Sequence, residues 1–114
     1  MDAVEMLLLF DYYGDMLTER QRMCLDLRYN QDLSLAEIAD ELGVSRQGVH
    51  DNITRAETHL QEMEAKTGCV RRCLQSRAAK QRILSVAAEL ENHTDPAVRE
   101  TIARIMAAAE SIEE

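Results

Sequence analysis

The sequence predicts an all-α protein in which a helix-turn-helix unit is followed by two longer C-terminal helices. Three observations support this fold class. The 114 residues include only four Gly and one Pro, and they are rich in helix formers such as Ala, Leu, Glu and Arg. No segment shows the alternation of β-branched residues that is typical of strands. Residues 34–57 read as two short helices hinged at a glycine. We therefore predict an N-terminal helical unit over residues 1–66 and a helical tail over residues 67–114 that packs or dimerises.

The first helix is predicted over residues 3–13 from its apolar content. Few polar residues interrupt this segment, so we expect it to be buried on several sides and to end at Gly14. Its apolar positions are Val4, Leu7, Leu8, Phe10 and Tyr12.

A second helix is predicted from the capping-box spacing of Thr18 and Gln21, and it should run to about Tyr29. Met23 and Leu27 should face the core, with Cys24 as a further candidate. The polar residues 30–32 form the next turn.

The first helix of the helix-turn-helix begins at Leu35, because Ser34 and Glu37 have the spacing of a capping box. Gly43 can adopt the positive φ that ends this helix. Four residues at three- and four-residue spacing form its buried face: Leu35, Ile38, Ala39 and Leu42.

The second helix of this motif is capped by Ser45 and should continue to Lys66. Its buried stripe is predicted to contain Val49, Ile53, Ala56 and Leu60. Gly48 costs about 1 kcal/mol relative to alanine inside a helix. A close approach to the preceding helix would explain this glycine.

If the two helices cross as in such motifs, the second lies in a DNA major groove. Arg46 can pair with guanine and Gln47 with adenine, so these two are the expected base readers. Phosphate contacts suit Ser45, Thr54 and Arg55, and the full outward-facing set is Ser45, Arg46, Gln47, His50, Asp51, Thr54 and Arg55. The alternative is a solvated face on a tri-helical scaffold that serves protein contacts alone.

The tail is predicted to contain two helices, separated from the first unit by a break at residues 67–68. The first should run from Val70 to about Glu91. Asp95 as a cap and Pro96 at the first position start the second. Its apolar face consists of Val98, Ile102, Ile105, Met106 and Ala109. These faces must fold back on residues 3–13 or pair across a two-fold axis, and we predict a homodimer.

Net charge is −8, which opposes simple non-specific DNA binding because phosphate neutralisation needs Lys and Arg. Residues 66–88 carry +6 without any acid, so the remaining residues carry −14. This basic stretch could bind phosphates, or it could pair with acidic faces of its own chain or a second subunit. The six bases do not gather on one helical side, which favours charge pairing.

The sequence predicts a cytoplasmic protein that is neither an enzyme nor inserted in a membrane. The apolar run at residues 6–10 is far shorter than the ~20 residues of a membrane helix, and acidic residues stand where a signal peptide would be basic. Three cysteines favour reduced thiols. Cys69 and Cys73 could face one metal on a helix, but it would need two more donors from His50, His59 or His93; packing thiols are the preferred interpretation, and no metal or other cofactor is expected. His50 and Asp51 should point about 100° apart, too far for a catalytic dyad.

The motifs SLAEIA (residues 34–39), GVSRQ (43–47) and DNI (51–53) resemble the YlxM family of small bacterial helix-turn-helix proteins. Residues 17–34 also resemble region 4 of sigma factors, and the likeness spans roughly residues 4–66. Gly48 and His50 depart from the alanine and tyrosine expected there. The resemblance implies a regulator linked to the signal recognition particle, with the particle GTPase or its receptor as partner. A DNA-binding transcriptional regulator unrelated to protein targeting is the alternative.

Overall fold

The computed structural model describes residues 2–113, and no strand occurs among them. The predicted all-α fold class is confirmed. The helices are α1 (Ala3–Tyr13), α2 (Glu19–Leu25), α3 (Leu35–Leu42), α4 (Arg46–Thr67), α5 (Cys69–Ala88) and α6 (Pro96–Glu110). They form two compact units, Met1–Val70 and Arg71–Glu114. None of the helices in the described residues is long and apolar enough to span a membrane.

The core of the first unit forms around α4, which packs against α1, α2 and α3. The predicted stripe of α4 is confirmed, because all four of its residues are buried. Opposite it lie Leu25 and Cys24 of α2 and Ile38 of α3, which are also fully buried. Removing these apolar side chains from water is the main force that holds the four helices together.

Helix α1 has the predicted bounds, but the expectation that it is buried on several sides is wrong. Met6, Leu9 and Tyr13 form its buried face, whereas Val4 and Tyr12 are exposed. The spacing of three and four residues gives one inward stripe, because α1 packs onto the core mainly through α4. Gly14 caps the end of α1 as predicted, and a 3₁₀ turn over Gly14–Met16 follows it.

The second helix differs from its prediction in register. The Thr18–Gln21 capping box is present, and Leu27 and Cys24 are buried as expected. Met23, however, is 39% exposed, and Leu25 takes the inward position. A π-helical turn over Asp26–Asn30 follows α2, with the Gln31 amide donating to the Asp26 carbonyl at 3.3 Å. The wider turn rotates the residues after Leu25 relative to an ideal α-helix, which lets Leu27 reach the core that already contains Leu25.

The predicted boundaries of α3 and α4 are confirmed by their caps. Ser34 and Glu37 exchange capping hydrogen bonds at 3.1 and 3.2 Å. Gly43 ends α3 with a φ of +67°, and a cap at Ser45 starts α4. Because a left-handed backbone strains residues that carry a Cβ, glycine suits this hinge between the two helices.

A second left-handed glycine, Gly68, ends α4 with a φ of +61°. Near it, the buried Tyr13 hydroxyl donates to Glu64 at 2.7 Å and also contacts the Thr67 hydroxyl. Glu64 additionally accepts from the Val70 amide at 3.0 Å. These bonds fix the end of α4 to α1 within the first unit.

The second unit contains most of α5 and all of α6. Helix α5 ends at Ala88, earlier than the predicted end near Glu91, and single turns occupy the next residues. The predicted start of α6 is confirmed, because Asp95 accepts a hydrogen bond from the Ala97 amide at 2.9 Å and Pro96 follows the cap. Lys80 and Glu110 form an ion pair at 3.7 Å, one example of the charge pairing expected for the basic stretch.

Candidate nucleic-acid interface

The first half of α4, together with its cap Ser45, carries the seven residues predicted to face DNA, and every one of them is exposed. The opposite side of the same helix contains Val49 and Ile53, which are buried in the core. The core therefore uses none of the seven candidate side chains, which remain available to a ligand. They are Ser45, Arg46, Gln47, His50, Asp51, Thr54 and Arg55.

Local hydrogen bonds order the start of α4. The Ser45 hydroxyl accepts from the Gly48 amide at 2.9 Å, which satisfies one of the unpaired donors of the first turn. Asn52 donates from its side chain to the Gly48 carbonyl at 2.9 Å. Further along, Tyr29 donates to Glu57 at 2.7 Å and fastens the end of the π-helical turn to α4. The candidate interface is thus held on a rigid element.

Gly48 does not have the role that the sequence suggested. A Cβ placed on this residue would meet only the Ser45 hydroxyl, at 3.0 Å, and no atom of α3 within 4 Å. The expected close approach between the two helices is therefore wrong as an explanation. The one neighbour is the capping oxygen, which sits over the first turn because it accepts the Gly48 amide.

Asp51 organises two of the candidate residues. It accepts a hydrogen bond from the Gln47 side-chain amide at 3.0 Å, and its carboxylate lies 3.7 Å from Nδ1 of His50. His50 and Asp51 were expected to point apart, but their side chains rotate toward each other at the exposed helix surface. The separation exceeds hydrogen-bond length, so the pair is an ion pair when His50 is protonated and not a proton relay. The Gln47–Asp51 bond has an i, i+4 spacing that the sequence already contained.

An open groove borders the base-reading candidates. Leu35 of α3 and Arg46, Gln47 and His50 of α4 line it. One apolar side chain therefore lies beside a guanidinium, an amide and an imidazole in this groove. Such a mixture suits a base edge, which offers hydrogen-bonding atoms beside an apolar methyl group in the case of thymine.

The electrostatics of this face are mixed. Arg46 and Arg55 supply two positive charges, and Asp51 supplies one negative charge. The neighbouring α3 exposes three further acids, Glu37, Asp40 and Glu41. In helix-turn-helix complexes the first helix crosses the DNA backbone, so these acids would weaken phosphate contact.

Burial shifts the ionisation of three groups in the first unit. Desolvation, with the hydrogen bond to Glu57 as the next cause, raises the pKa of Tyr29 to about 12. Desolvation also raises the pKa of Tyr13, although its contact with Thr67 partly opposes this. Burial raises the pKa of the Cys24 thiol. All three groups therefore remain neutral at physiological pH and support the fold rather than a reaction.

The part of the chain that the structure describes contains no cluster of side chains that could bind a metal ion. No group of three or more His, Cys, Asp or Glu side chains within residues 2–113 is arranged to hold an ion. The three cysteines form no disulfide: Cys24 is buried, and Cys69 and Cys73 are half-buried.

Comparison with known proteins gives a consistent family. Residues 2–94 match the family described as "UPF0122: Putative helix-turn-helix protein, YlxM / p13 like". A UPF0122 protein of Symbiobacterium thermophilum is 45% identical over 107 residues, which cover 94% of each chain. A UPF0122 protein of Acetivibrio thermocellus is 47% identical over 93 residues, covering 81% of this chain and 77% of the relative. One from Bacillus cereus is 40% identical over 100 residues, covering 85% of this chain and 87% of the relative.

Proposed function

The chain belongs to the UPF0122 family of YlxM- and p13-like helix-turn-helix proteins, and we propose that it is a cytoplasmic regulator that binds DNA through α4. We further propose that it acts in the signal recognition particle pathway of co-translational protein targeting. The main support for DNA binding is that all seven candidate contact residues are exposed on α4 and its cap, while the opposite side of this helix forms the core. In this proposal Arg46 and Gln47 read bases, and Ser45, Thr54 and Arg55 contact phosphates.

Charge determines how such binding would behave. Only two of the seven candidates are cationic, and the acids of α3 lie nearby. Non-specific affinity should therefore be low, because so few cations can neutralise only a few phosphates. The affinity should also depend weakly on salt, since each neutralised phosphate contributes about −0.9 to the slope of log K against log salt concentration. Base contacts would carry a larger share of the binding energy than in a basic DNA-binding protein. A homodimer would present two copies of α4 about one helical turn of DNA apart.

A second candidate function is supported by the acidic surface. The net charge of −8 and the three acids exposed on α3 suit a basic protein partner better than a polyanion. The family resemblance points to the particle GTPase or its receptor as that partner. Complementary charge would accelerate the encounter more than it strengthens the final complex.

Selection of binding sites from a random DNA library at low salt tests DNA binding. We expect one sequence to be enriched. The Arg46→Ala and Gln47→Ala variants should each lose about 1–3 kcal/mol of binding to it. Arg20→Ala is the matched control, because Arg20 is an exposed arginine on α2 outside the candidate face. If no sequence is enriched, or if all three variants bind alike, specific readout by α4 is refuted.

The double variant Asp40→Asn/Glu41→Gln separates the two candidate functions. Neutralising these exposed α3 acids should tighten DNA binding and weaken binding to a basic protein partner. Both quantities are measured by titration, with DNA in one series and the particle GTPase or its receptor in the other. If the chain neither co-purifies with those proteins nor alters their GTP hydrolysis, the targeting role loses its support.

A further inference from the structure

We infer that Leu35 is a specificity-determining residue of the proposed DNA interface, where its side chain contacts the 5-methyl group of a thymine. The inference rests on the DNA binding proposed above and names the base pair that the groove selects, an adenine–thymine pair. Leu35 lies outside the seven residues predicted to face DNA and adds an apolar contact from α3 to those of α4.

The groove that borders the base-reading candidates brings the start of α3 next to the start of α4. Leu35 is the first residue of α3 and Arg46 the first of α4, and both line this groove. Gln47 and His50 line it as well. In helix-turn-helix complexes the first residues of the second helix contact base edges. A residue of α3 that shares a groove with those side chains is therefore placed to contact a base edge as well.

The chemistry of the groove indicates which base this is. Leu35 is the apolar side chain among the four that line the groove. In the major groove thymine alone offers a methyl group, whereas the edges of the other three bases offer hydrogen-bonding atoms. Gln47 suits adenine, which pairs with thymine. The amide and the leucine would therefore favour the same type of base pair.

The first turn of α3 is ordered by its own contacts, before any ligand binds. Capping bonds between Ser34 and Glu37, at 3.1 and 3.2 Å, hold this turn, and Leu35 is half-buried against the core of the first unit. Contact with a methyl group therefore costs little further side-chain entropy. The contact also has no charge penalty, whereas the acids exposed on α3, Glu37, Asp40 and Glu41, would be repelled by phosphates.

Deoxyuracil substitution tests the methyl contact, because uracil is thymine without its 5-methyl group. In the sequence enriched by site selection, each thymine is replaced in turn by deoxyuracil, and binding is titrated at fixed salt. We expect at least one replacement to weaken binding by the unmodified protein about fourfold, which is the value of burying one methyl-sized group. The Leu35→Ala variant should bind the two DNAs equally well, whatever its overall affinity. Leu35→Gln, which keeps the bulk of the side chain but presents an amide, should lose the preference too.

Leu33→Ala is the matched control for these variants. Leu33 is also a half-buried leucine packed against the core of the first unit, but it does not line the groove. This variant should keep the fourfold preference for thymine, and so should His50→Ala, which removes the imidazole from the groove. Far-UV circular dichroism verifies that every variant keeps its helix content.

Three outcomes would overturn the role of Leu35 while leaving DNA binding by α4 intact. The enriched sequence could lack an adenine–thymine pair, or tolerate deoxyuracil at every thymine. The preference could also survive both Leu35 substitutions, or disappear in Leu33→Ala or His50→Ala instead. If no sequence is enriched at all, the DNA proposal itself is refuted and the methyl contact falls with it.

Discussion

Replacing Gly48 by alanine should stabilise the first unit by about 0.5 kcal/mol, and this effect should depend on Ser45. Two terms set the magnitude. Alanine gains up to about 1 kcal/mol over glycine inside a helix, and the backbone of Gly48 is not in the left-handed region that would oppose a Cβ. Against this, the new Cβ would meet the Ser45 hydroxyl at 3.0 Å, so the capping oxygen must move by a few tenths of an ångström. That cap is worth about 1 kcal/mol in total, and only part of it should be lost.

A double-mutant cycle isolates the two terms. Ser45→Ala removes the cap and should destabilise the unit by about 1 kcal/mol. In that background Gly48→Ala no longer meets a hydroxyl, so it should stabilise by the full value of about 1 kcal/mol. The difference between the two Gly48→Ala effects, about 0.5 kcal/mol, is the coupling between Ser45 and the added methyl group.

Urea unfolding followed by tyrosine fluorescence measures each corner of the cycle. The three tyrosines all lie within residues 1–70, and the chain has no tryptophan, so the signal reports the first unit. With a slope of about 1 kcal/mol/M, the midpoint should rise by about 0.5 M for Gly48→Ala. Protein concentration is held constant because association shifts apparent stability. If Gly48→Ala destabilises the unit in both backgrounds, a contact other than the capping hydroxyl governs this position and the reasoning is refuted.

Two further predictions concern the core of the first unit. Glu57→Gln should lower the pKa of Tyr29 from about 12 but leave it above 10.0, because burial, the largest cause, remains; a ¹³C NMR titration of the tyrosine ring measures this. Since the folded pKa exceeds the ordinary one, the contribution of Tyr29 to stability is complete below pH 10 and is lost as the pH rises through 12. Leu60→Ala should cost about 2–5 kcal/mol, whereas the exposed Met16→Ala should change the free energy of unfolding by less than about 0.5 kcal/mol. Similar midpoints for the two variants would contradict the assigned core.

Local chemistry explains which parts of the fold the sequence predicts well. The capping boxes at Thr18 and Ser34 and the hinge at Gly43 depend on residues within a few positions of each other, and all three are confirmed. The four-residue stripe of α4 is confirmed as well, because its period of three and four residues admits one inward face. The family is confirmed for a related reason, since the motifs that suggested it lie in this locally determined segment.

Contacts between residues distant in sequence account for the differences between the predicted and the observed fold. The burial of Leu25 in place of Met23 depends on which side of α2 packs against α4, and the burial of Leu27 accompanies a π-helical turn that no local signal announces. The exposure of Val4 follows from α1 packing through one side only, which hydrophobicity alone does not predict. The neighbour of Gly48 could not be identified without coordinates, since an approach to α3 and an approach to the cap leave the same glycine in the sequence.

The Gln47–Asp51 bond has a consequence for how the candidate face would read a base. An amide that already donates one hydrogen to Asp51 keeps its other hydrogen and its carbonyl oxygen for a ligand, in a fixed orientation. Adenine requires that combination of one donor and one acceptor. Ordering the long stem of Arg46 on binding costs side-chain entropy, whereas the bond to Asp51 has already ordered part of the Gln47 side chain. In the proposed DNA interface Asp51 would therefore position Gln47, at the expense of one negative charge on a face that would meet phosphates.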